Sequence, residues 1–389
     1  MLVAGTVGQS GLPAVITDSP GLLLGGILTV SLVGAGAWVL FTKLFRSPGE
    51  RFASVLGKRS TVAIVMHPNP DPDAMASALA AGEIAENAGT EPTLYYSGQI
   101  RHHENRAFET VLNTDFECIR SVDEIEEDDV VLVDHNEARG LDGAERVDPI
   151  AVVDHHPGGG AGTEFTDVRT EMGACATLFS KYFDTLDWDP VDPDSAQYSA
   201  DGSAAIPPRI STGLLYGIQS DTKHLTNGCR EADFAAAAFL YRGIDQDKLD
   251  RIANPDVDAE SLDVKADAII ERDVRGPFAI SDVGSVSNVD AIPQAADELR
   301  RLEGVNAVVV LGDFDDRIKL SGRSKDDRVH MGKVLETAVE SVPMADGGGH
   351  ARMGGGQVPI DHMEGLGPGE GLTRDELRER LFDAMNGEI

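Results

Sequence analysis

The chain has 389 residues and a formal net charge of −33, with 66 acidic residues against 33 Lys and Arg. This charge argues against nucleic-acid binding through a basic surface, because that mode depends on clustered cations that displace counterions from phosphates. Hydrophobic residues still make up 41% of the chain, which excludes a disordered acidic protein and indicates domains with their own cores. The acidic residues are spread along the chain, and this favours adaptation to high salt over the weaker alternative, an acidic partner-binding face.

The first predicted element is a transmembrane helix at residues 21–42. This stretch contains no charged residue and is rich in Leu, Val, Ile, Ala and Gly. At about 1.5 Å per residue it is long enough to cross a bilayer core of about 30 Å. Lys43 and Arg46 follow it, whereas residues 1–20 contain neither Lys nor Arg. Positive-inside bias predicts a short external N-terminus, a single-pass anchor in the cell membrane, a linker at residues 43–60 and a cytoplasmic remainder. A signal peptide and a misassigned start are the alternatives.

Short apolar runs and helical patterns alternate beyond the linker. The runs lie at residues 61–66, 130–133 and 150–153. They are β-branched and show no polar alternation, which is typical of strands buried on both faces of a parallel sheet. Residues 74–88 have the apolar side of a helix, and Gly89 ends this pattern. The alternation predicts an α/β domain with a parallel sheet at residues 61–254.

Acidic and histidine residues follow these runs. They are His67, Asp71 and Asp73, then Asp134, then Asp154, His155 and His156, and finally Asp221. Because functional groups in open α/β sheets gather beyond the carboxyl ends of strands, we expect these side chains to share one crevice. Each residue alone has an ordinary explanation, a helix N-cap for an aspartate or a satisfied polar group for a histidine. The complete set predicts a two-metal hydrolase site, because carboxylates and imidazoles suit Mn²⁺ or Mg²⁺ and one carboxylate can bridge two ions.

The cysteines argue against two other kinds of site. Cys118, Cys175 and Cys229 are widely separated and form no C-x-x-C motif. This spacing excludes the usual zinc ribbon and gives no sign of a disulfide framework. A reduced cytoplasmic environment is the simplest interpretation.

The set of acidic and histidine motifs resembles the signature of the DHH phosphoesterase superfamily, over residues 60–389. This superfamily includes RecJ-type nucleases, short-oligoribonucleotide hydrolases and cyclic-dinucleotide phosphodiesterases. The resemblance implies two manganese ions, with magnesium as the alternative, and Asp134 as the bridging ligand. One ion would be held by His67, Asp71 and Asp134, and the other by Asp73, Asp134, His155 and Asp221. The resemblance also implies that Asp154 orients His155, and that His156 faces the substrate phosphate or the leaving oxygen.

A second resemblance, to the DHH-associated substrate domain, concerns residues 255–389. The glycine-rich segment at residues 346–356 is similar to the turn of that domain, and glycines let backbone N–H groups approach an anion closely. Arg323 follows an apolar run at residues 305–311, and we expect it to leave a strand toward the catalytic cleft, where its guanidinium suits phosphate. The implied substrate-binding residues are Ser321, Arg323, Gly347, Gly348, Gly349 and His350. The expected fold is a parallel-sheet DHH domain plus a smaller α/β domain, preceded by one transmembrane helix.

Several segments have less specific patterns. Residues 101–106, Arg-His-His-Glu-Asn-Arg, could place cationic donors at the rim of the cleft or could form a solvated helix start. Lys223 and His224 could contact a nucleotide or could only cap a turn. Residues 187–208 are rich in Asp, Pro, Ser and Gly and predict an exposed insertion. Helices are predicted at residues 262–272, 292–302 and 328–341.

These features together predict a membrane-anchored, haloarchaeal, manganese-dependent phosphoesterase that hydrolyses short nucleotides. The expected partners are a short oligonucleotide or (cyclic) dinucleotide substrate and the membrane, and a homodimer is left open. Cyclic di-AMP hydrolysis in signalling is the alternative activity, because some membrane-bound members of the superfamily have it. A membrane-tethered nucleotide sensor is the non-enzymatic alternative, disfavoured because every expected ligand position is filled. An inorganic pyrophosphatase is disfavoured because the glycine cluster resembles the nucleotide-handling branch.

Overall fold

The structure, a computed structural model, describes residues 46–194, 204–363 and 372–387. The chain divides into two compact units. Of the described residues, those up to 100 and those from 108 to 250 form the first unit, and those from 101 to 107 and from 251 onward form the second. The transmembrane helix predicted at residues 21–42 lies outside the described residues. Within the described ranges, no helix is both long and apolar enough to span a membrane.

Strands and helices alternate through the first part of the chain. Up to residue 253, the strands are β1 (Thr61–Val65), β2 (Glu91–Tyr96), β3 (Phe116–Cys118), β4 (Val130–Val133), β5 (Ala151–Asp154), β6 (Phe165–Val168), β7 (Asp189–Pro190) and β8 (Ala205–Ile206). The helices are α1 (Pro48–Leu56), α2 (Pro72–Asn87), α3 (His103–Leu112), α4 (Cys175–Thr185), α5 (Pro208–Asp221), α6 (Glu231–Leu240) and α7 (Gln246–Ala253). The helix predicted at residues 74–88 is α2, which begins at Pro72 because Asp71 caps it and proline suits the first helical position.

The six-stranded sheet of the first unit is parallel throughout, in the order β3-β2-β1-β4-β5-β6. This confirms the predicted α/β fold with a parallel sheet. The chain moves outward from β1 on one side and from β4 on the other, so the topology reverses between these two strands. Residues at the carboxyl ends of β1 and β4 therefore border the crevice in which open α/β sheets bind ligands.

Close packing of α5 on α2 brings the ends of two helices together. Helix α2 is rich in alanine and buried along most of its length. Helix α5 approaches it at Gly217, where an added Cβ would lie 3.2 Å from Cα of Asp73. Because Gly217 has no side chain, the last turn of α5, with Asp221, can lie beside the first turn of α2.

The second unit has a mixed six-stranded sheet. Its strands are β9 (Asp273–Arg275), β10 (Phe278–Ser285), β11 (Ala307–Phe314), β12 (Arg317–Ser324), β13 (Asp346–Gly349) and β14 (Met353–Pro359). The helices beyond residue 253 are α8 (Ala259–Ile270), α9 (Ala291–Leu299), α10 (Met331–Val339), α11 (Ile360–Met363) and α12 (Arg374–Asn386). In the order β13-β14-β12-β11-β10-β9, only the pair β10 and β11 is parallel.

Each face of this second sheet carries its own hydrophobic core. Helices α10 and α12 pack on the face that contains Ile280 and Val309. Helices α8 and α9 pack on the opposite face, against Ala279, Val308 and Val310. Successive strand residues point to opposite faces, so the central strands are apolar on both sides. The helices predicted at 262–272, 292–302 and 328–341 are observed as α8, α9 and α10.

The glycine-rich segment at residues 346–356 forms a hairpin in which only residues 350–352 make the turn, and most of its glycines lie in strands. Residues 347–349 lie in β13 and pair with residues 354–356 of β14, so the glycines form the two strands of a hairpin. Helix α10 packs directly on this hairpin, and a Cβ added to Gly347 would lie 2.7 Å from the carbonyl oxygen of Leu335. Glycine suits these strands because backbone pairing needs no side chains and the bare backbone admits a helix at close range.

Candidate metal centre

The acidic and histidine residues meet at the carboxyl-terminal edge of the parallel sheet. His67 follows β1, Asp134 follows β4, and Asp154 is the last residue of β5. Helices α2 and α5 contribute Asp71, Asp73 and Asp221. Among the described residues, potential ligand atoms lie within 4.8 Å of one another in three groups: His67–Asp71–Asp134, Asp73–His155–Asp221 and Asp134–His155–His156. The sheet thus brings together residues that are far apart in sequence.

The first group is built around His67. Its Nε2 lies 3.7 Å from Oδ2 of Asp71 and 3.5 Å from Oδ2 of Asp134. Its Nδ1 lies 3.0 Å from the carbonyl oxygen of Pro68, so an N–H at Nδ1 can donate there and leave the Nε2 lone pair for a cation. Oδ1 of Asp71 accepts hydrogen bonds from two N–H groups at the start of α2. Asp71 is therefore both a helix N-cap and a candidate ligand.

The second group is built around His155. Its Nε2 lies 3.6 Å from Oδ2 of Asp73 and 3.3 Å from Oδ2 of Asp221. Its Nδ1 faces the carbonyl oxygen of Met172 at 3.3 Å, an arrangement like that of the first histidine. The buried carboxylate of Asp73 also accepts hydrogen bonds of 2.6 and 2.8 Å from the first two N–H groups of α4. The amino end of α4 thus holds this carboxylate in place.

Asp134 lies between the two groups. Its Oδ2 faces His67, and its Oδ1 lies 3.4 Å from Nε2 of His155. The side chain is 1% exposed, and neither carboxylate oxygen has a hydrogen-bond partner among the described residues. Its φ is +60°, an uncommon value for a residue other than glycine, and its N–H donates to the carbonyl oxygen of Val153 at 2.9 Å. This is the geometry expected of a carboxylate that bridges two cations.

The charges at the site fit divalent metal ions. Burial lowers the pKa of His67, but the carboxylates of Asp134 and Asp71 raise it to about 11. Burial likewise lowers the pKa of His155, while Asp134 and Asp221 raise it to about 12. The metal-free site thus retains protons among clustered carboxylates that divalent cations would neutralise. Carboxylate oxygens and imidazole nitrogens, with unpartnered oxygens on Asp134, are a donor set that suits manganese.

The contacts of Asp154 differ from the prediction. Its Oδ1 lies 2.9 Å from Nδ1 of His156, and it accepts the backbone N–H groups of His155 and His156 at 2.8 and 3.1 Å. Asp154 was expected to orient the ring of His155, whose Nδ1 instead faces Met172. The reason is that the chain turns sharply after β5, and this brings the second histidine ring back over the strand end. Asp154 therefore positions the imidazole of His156.

His156 is the more accessible of the two histidines. Its side chain is 48% exposed, against 10% for His155. The hydrogen bond that its Nδ1–H donates to Asp154 raises the pKa of His156. Because Asp154 engages Nδ1, Nε2 is the nitrogen that can donate a proton or a hydrogen bond to a bound molecule. The ring can also take part in the third ligand group, since Nδ1 lies 3.7 Å from Oδ1 of Asp134.

Asn136 supports this pair, although the sequence motifs did not point to it. Its Nδ2 donates to Oδ2 of Asp154 at 2.6 Å and to the carbonyl oxygen of His156 at 3.2 Å. A side chain at Gly158 or Gly160 would collide with Asn136, so the glycine loop after the histidines wraps closely around it. The position of Asn136, just beyond the end of β4, is the signal that could have identified it.

His135 is a second residue that the motifs did not reveal. It is buried beside His67, and its Nδ1 lies 2.9 Å from the carbonyl oxygen of Val133. Burial lowers the pKa of His135 to about 4, so its ring is neutral near pH 7. A neutral buried imidazole adds no charge to the site and packs against the first ligand group.

The predicted substrate-binding residues lie in the second unit. Ser321 and Arg323 are in β12, which ends at Ser324, one residue after Arg323. Its side chain is 11% exposed, and its Nε donates to Oδ1 of Asp297 at 3.0 Å. Its Nη1 donates to Oγ of Ser321 at 3.1 Å. His350 follows β13, and its N–H donates to the carbonyl oxygen of Met353 at 2.8 Å. Arg323 is thus partly engaged within its own unit, by Asp297 and Ser321.

The residues after Asp221 form an exposed turn. Lys223, His224 and Leu225 have φ values of 48°, 57° and 60°, and the first two side chains are exposed. Oγ1 of Thr222 accepts the N–H of Leu225 at 3.0 Å, which holds the turn. Lys223 and His224 therefore lie in a turn, which is one of the two predicted alternatives. Their contact with a nucleotide stays a prediction.

Two protein families match the chain, one in each part. Residues 61–218 match the DHH family, N-terminal domain. Residues 275–366 match the DHHA1 domain. The first match covers the parallel sheet and most of the candidate ligands, and the second covers the mixed sheet with its glycine hairpin.

Related proteins include one of unknown activity and enzymes named for pyrophosphate. An uncharacterized protein of Methanocaldococcus jannaschii is 32% identical over 332 residues, or 84% of this chain and 65% of that protein. A probable manganese-dependent inorganic pyrophosphatase of Bacillus licheniformis is 27% identical over 259 residues, or 64% of this chain and 76% of that protein. A protein of the same description from Exiguobacterium sp. is 36% identical over 98 residues, or 25% of this chain and 31% of that protein. The chain thus spans less than two-thirds of two of these relatives.

A solved structure supports the fold. An exopolyphosphatase-related protein from Bacteroides fragilis matches with a TM-score of 0.59 and 16% identity, over 87% of this chain and 96% of that chain. At this identity the likeness concerns the fold alone. The two family matches, the shared fold and the converging acidic and histidine groups agree with one another. The chain carries a DHH-family domain followed by a DHHA1 domain.

Proposed function

We propose that the chain is a manganese-dependent phosphoester hydrolase of the RecJ-like branch that acts on short nucleotides. The observation that carries this proposal is the position of Asp134. Each of its oxygens faces a different ligand group, and both are buried without hydrogen-bond partners among the described residues. A buried carboxylate left in this way costs roughly several kcal/mol unless a cation compensates it. Relatives named as manganese-dependent support the choice of metal.

Two cations are proposed at this site. The residues that would hold them are His67, Asp71 and Asp134 for one ion, and Asp73, Asp134, His155 and Asp221 for the other. When bound, such ions lower the pKa of water and neutralise charge that develops on a phosphoryl group. The N–H groups at the starts of α2 and α4 hold Asp71 and Asp73, so these carboxylates are positioned before any cation binds.

His156 is proposed to act at the leaving oxygen. Hydrolysis breaks a P–O bond, and the departing oxygen needs a proton or a hydrogen bond as its negative charge grows. Asp154 fixes Nδ1 of His156 and favours the protonated ring, so Nε2 can supply that proton. Asn136 keeps Asp154 in place through its bond to Oδ2. The proton path therefore runs through a single exposed imidazole with two supporting side chains.

The substrate has two main candidates. Short oligoribonucleotides or a nucleotide phosphate such as 3′-phosphoadenosine 5′-phosphate are our first choice, with cyclic di-AMP as the signalling alternative. Inorganic pyrophosphate is the second candidate, and relatives described as pyrophosphatases favour it. A nucleotide sensor without turnover is the alternative from another class, although all six proposed ligands are present here as Asp or His.

Product analysis distinguishes these candidates. The protein is incubated with short RNA, 3′-phosphoadenosine 5′-phosphate, cyclic di-AMP and pyrophosphate in turn, with manganese and high salt. We expect mononucleotide products from at least one nucleotide substrate and none without metal. Release of phosphate from pyrophosphate alone would replace our first choice with a pyrophosphatase. Metal binding without turnover of any substrate would favour the sensor.

We also propose a haloarchaeal origin and a membrane anchor at residues 21–42, with the catalytic domains in the cytoplasm. The basic residues that follow this apolar stretch support the orientation. Protease added to intact cells should therefore leave residues 61–389 uncut, and lysis should expose them. Cleavage of that part without lysis would contradict the proposed topology.

A further inference from the structure

A cavity in the second unit is separate from the residues proposed for catalysis. Its volume is about 620 Å³, within the range of roughly 300–1,000 Å³ that is typical of small-molecule sites. The start of α3, the segment after α7, and helices α8 and α9 line it. The start of α3 includes the Arg-His-His-Glu-Asn-Arg cluster, to which the proposed function gives no role.

Basic side chains are enriched in this cavity. One lysine, two arginines and two histidines line it, against three carboxylates, whereas the whole chain has 66 carboxylates and 33 Lys and Arg. Two of the three carboxylates are already paired, Asp297 with Arg323 at 3.0 Å and Glu298 with Arg301 at 3.4 Å. The lining therefore has as many Lys and Arg as carboxylates, in a chain with twice as many carboxylates as Lys and Arg, and this locally less acidic surface favours an anionic ligand over the rest of the protein.

Two of the basic groups have no close ion pair with a carboxylate among the described residues. Nε2 of His103 is buried without a hydrogen bond, and Oδ2 of Asp258 lies 4.0 Å from it. Lys265 lies in the middle of α8 and forms no ion pair with any residue that the structure describes. The arginines after α9 have an ordinary role, because cations compensate the dipole at the end of a helix. Lys265 and His103 are thus the residues that point to a ligand.

One part of the cavity wall is apolar. Ala253, Pro255 and Val257 contribute it. Phosphate suits the cationic side chains, while a base or ribose can lie against apolar atoms or stack on an imidazole ring. We propose that this cavity binds a nucleoside monophosphate unit, with its phosphate at Lys265 and its base or ribose against Pro255 and Val257.

This proposal deepens the proposed function, because it rests on the chain being a hydrolase whose substrate or product is a nucleotide. It separates nucleotides from pyrophosphate, which has no base or ribose to use the apolar wall. Binding in the cavity requires no metal, because none of the proposed ligands lines it. It can therefore be measured without turnover.

The test uses the full-length, metal-stripped protein and a fluorescent analogue of adenosine monophosphate. We expect adenosine monophosphate to displace the probe much more effectively than pyrophosphate or adenosine. Lys265→Ala should weaken binding roughly tenfold, since a charged hydrogen bond to phosphate is lost. His103→Ala should weaken it as well. The control is Lys248→Ala, which removes an α7 lysine paired with Asp245 at 3.3 Å and should bind as the unaltered protein does.

Two results would overturn the proposal. One is displacement of the probe by pyrophosphate as readily as by adenosine monophosphate, which indicates a simple anion site. The other is unchanged binding in both Lys265→Ala and His103→Ala. Thermal unfolding of each variant checks that it folds, and Lys265→Gln retains a long side chain without the charge. If nucleotide binding persisted while no substrate was hydrolysed with manganese, the proposed hydrolase function would be wrong, but the proposed nucleotide site in the cavity would be supported.

Discussion

The two units position their candidate functional residues in different ways. In the first unit, Asp and His residues follow parallel strands, so the sheet itself brings their side chains to one edge. In the second unit, the candidates lie within antiparallel strands and a glycine hairpin, where the strand ends do not converge. Position after a strand is therefore a strong guide to a site only in a parallel sheet, whose carboxyl ends share one edge.

The largest effect that tests this comparison is expected at Asp134. Asp134→Ala should lower manganese-dependent turnover by at least roughly a thousandfold, because both ligand groups lose their shared carboxylate. The metal-free protein should remain folded, since His67 and His155 can lose their protons when the carboxylate that raises their pKa is removed. Turnover and thermal unfolding measure the two effects. Asp128→Ala, an exposed position just before β4, is the control, and substantial activity in Asp134→Ala would refute the bridging role.

The second prediction concerns the glycine hairpin. Gly347→Ala should destabilise the protein by about 1–3 kcal/mol, because its Cβ would meet the backbone of Leu335 at 2.7 Å. Gly348→Ala is the matched control, since no atom lies within 4 Å of its added Cβ. Thermal unfolding measures both variants. If the two variants unfolded at the same temperature, close packing of α10 would not explain why position 347 is glycine.

The third prediction concerns Asn136. Asn136→Ala should lower kcat about 10- to 100-fold with little change in KM, because Asp154 loses the amide that holds it against His156. A nitrogen NMR signal from the His156 ring of the metal-free protein should shift as its hydrogen bond to Asp154 loosens. Glu137→Ala, an exposed neighbour, should change neither quantity. An unaltered NMR signal would remove the positioning role.

The smallest effect is expected in the second unit. Arg323→Ala should lower kcat/KM about tenfold on a short nucleotide, while manganese binding and turnover of bis-p-nitrophenyl phosphate change little. Arg317→Ala, an arginine at the other end of β12, is the control and should leave both activities unchanged. His350→Ala is expected to act in the same direction as Arg323→Ala. Equal losses on both substrates would mean that the second unit does not recognise the nucleotide.

The candidate metal site was largely predictable from the sequence. The apolar runs before His67, Asp134 and Asp154 indicate buried parallel strands, and parallel strands converge at their carboxyl ends. The contact of Asp154 with the ring of His156 was not predictable, because it depends on how the chain turns after β5. The role of Asn136 is also not evident from the sequence, because an amide carries no charge that marks it as a ligand. Only its contacts reveal its role.

In the second unit, less of the candidate site could be predicted from the sequence. A run of glycines is compatible with a loop that binds an anion and with strands that admit a close neighbour. The sequence at residues 346–356 does not distinguish them, and the packing of α10 decides in favour of strands. Arg323 is a further example, because its ion pair with Asp297 depends on how α9 packs against β12.

By itself, the sequence determined the α/β class, the parallel sheet and the set of acidic and histidine residues at its edge, because these follow from local patterns of apolar and charged residues. Only the tertiary structure decided which ring Asp154 holds, that glycines form a hairpin under α10, and that His103 and Lys265 line one cavity. The physical reason is that periodicity and residue type describe one element at a time. Contacts between side chains depend on how separate elements pack, which no single segment encodes.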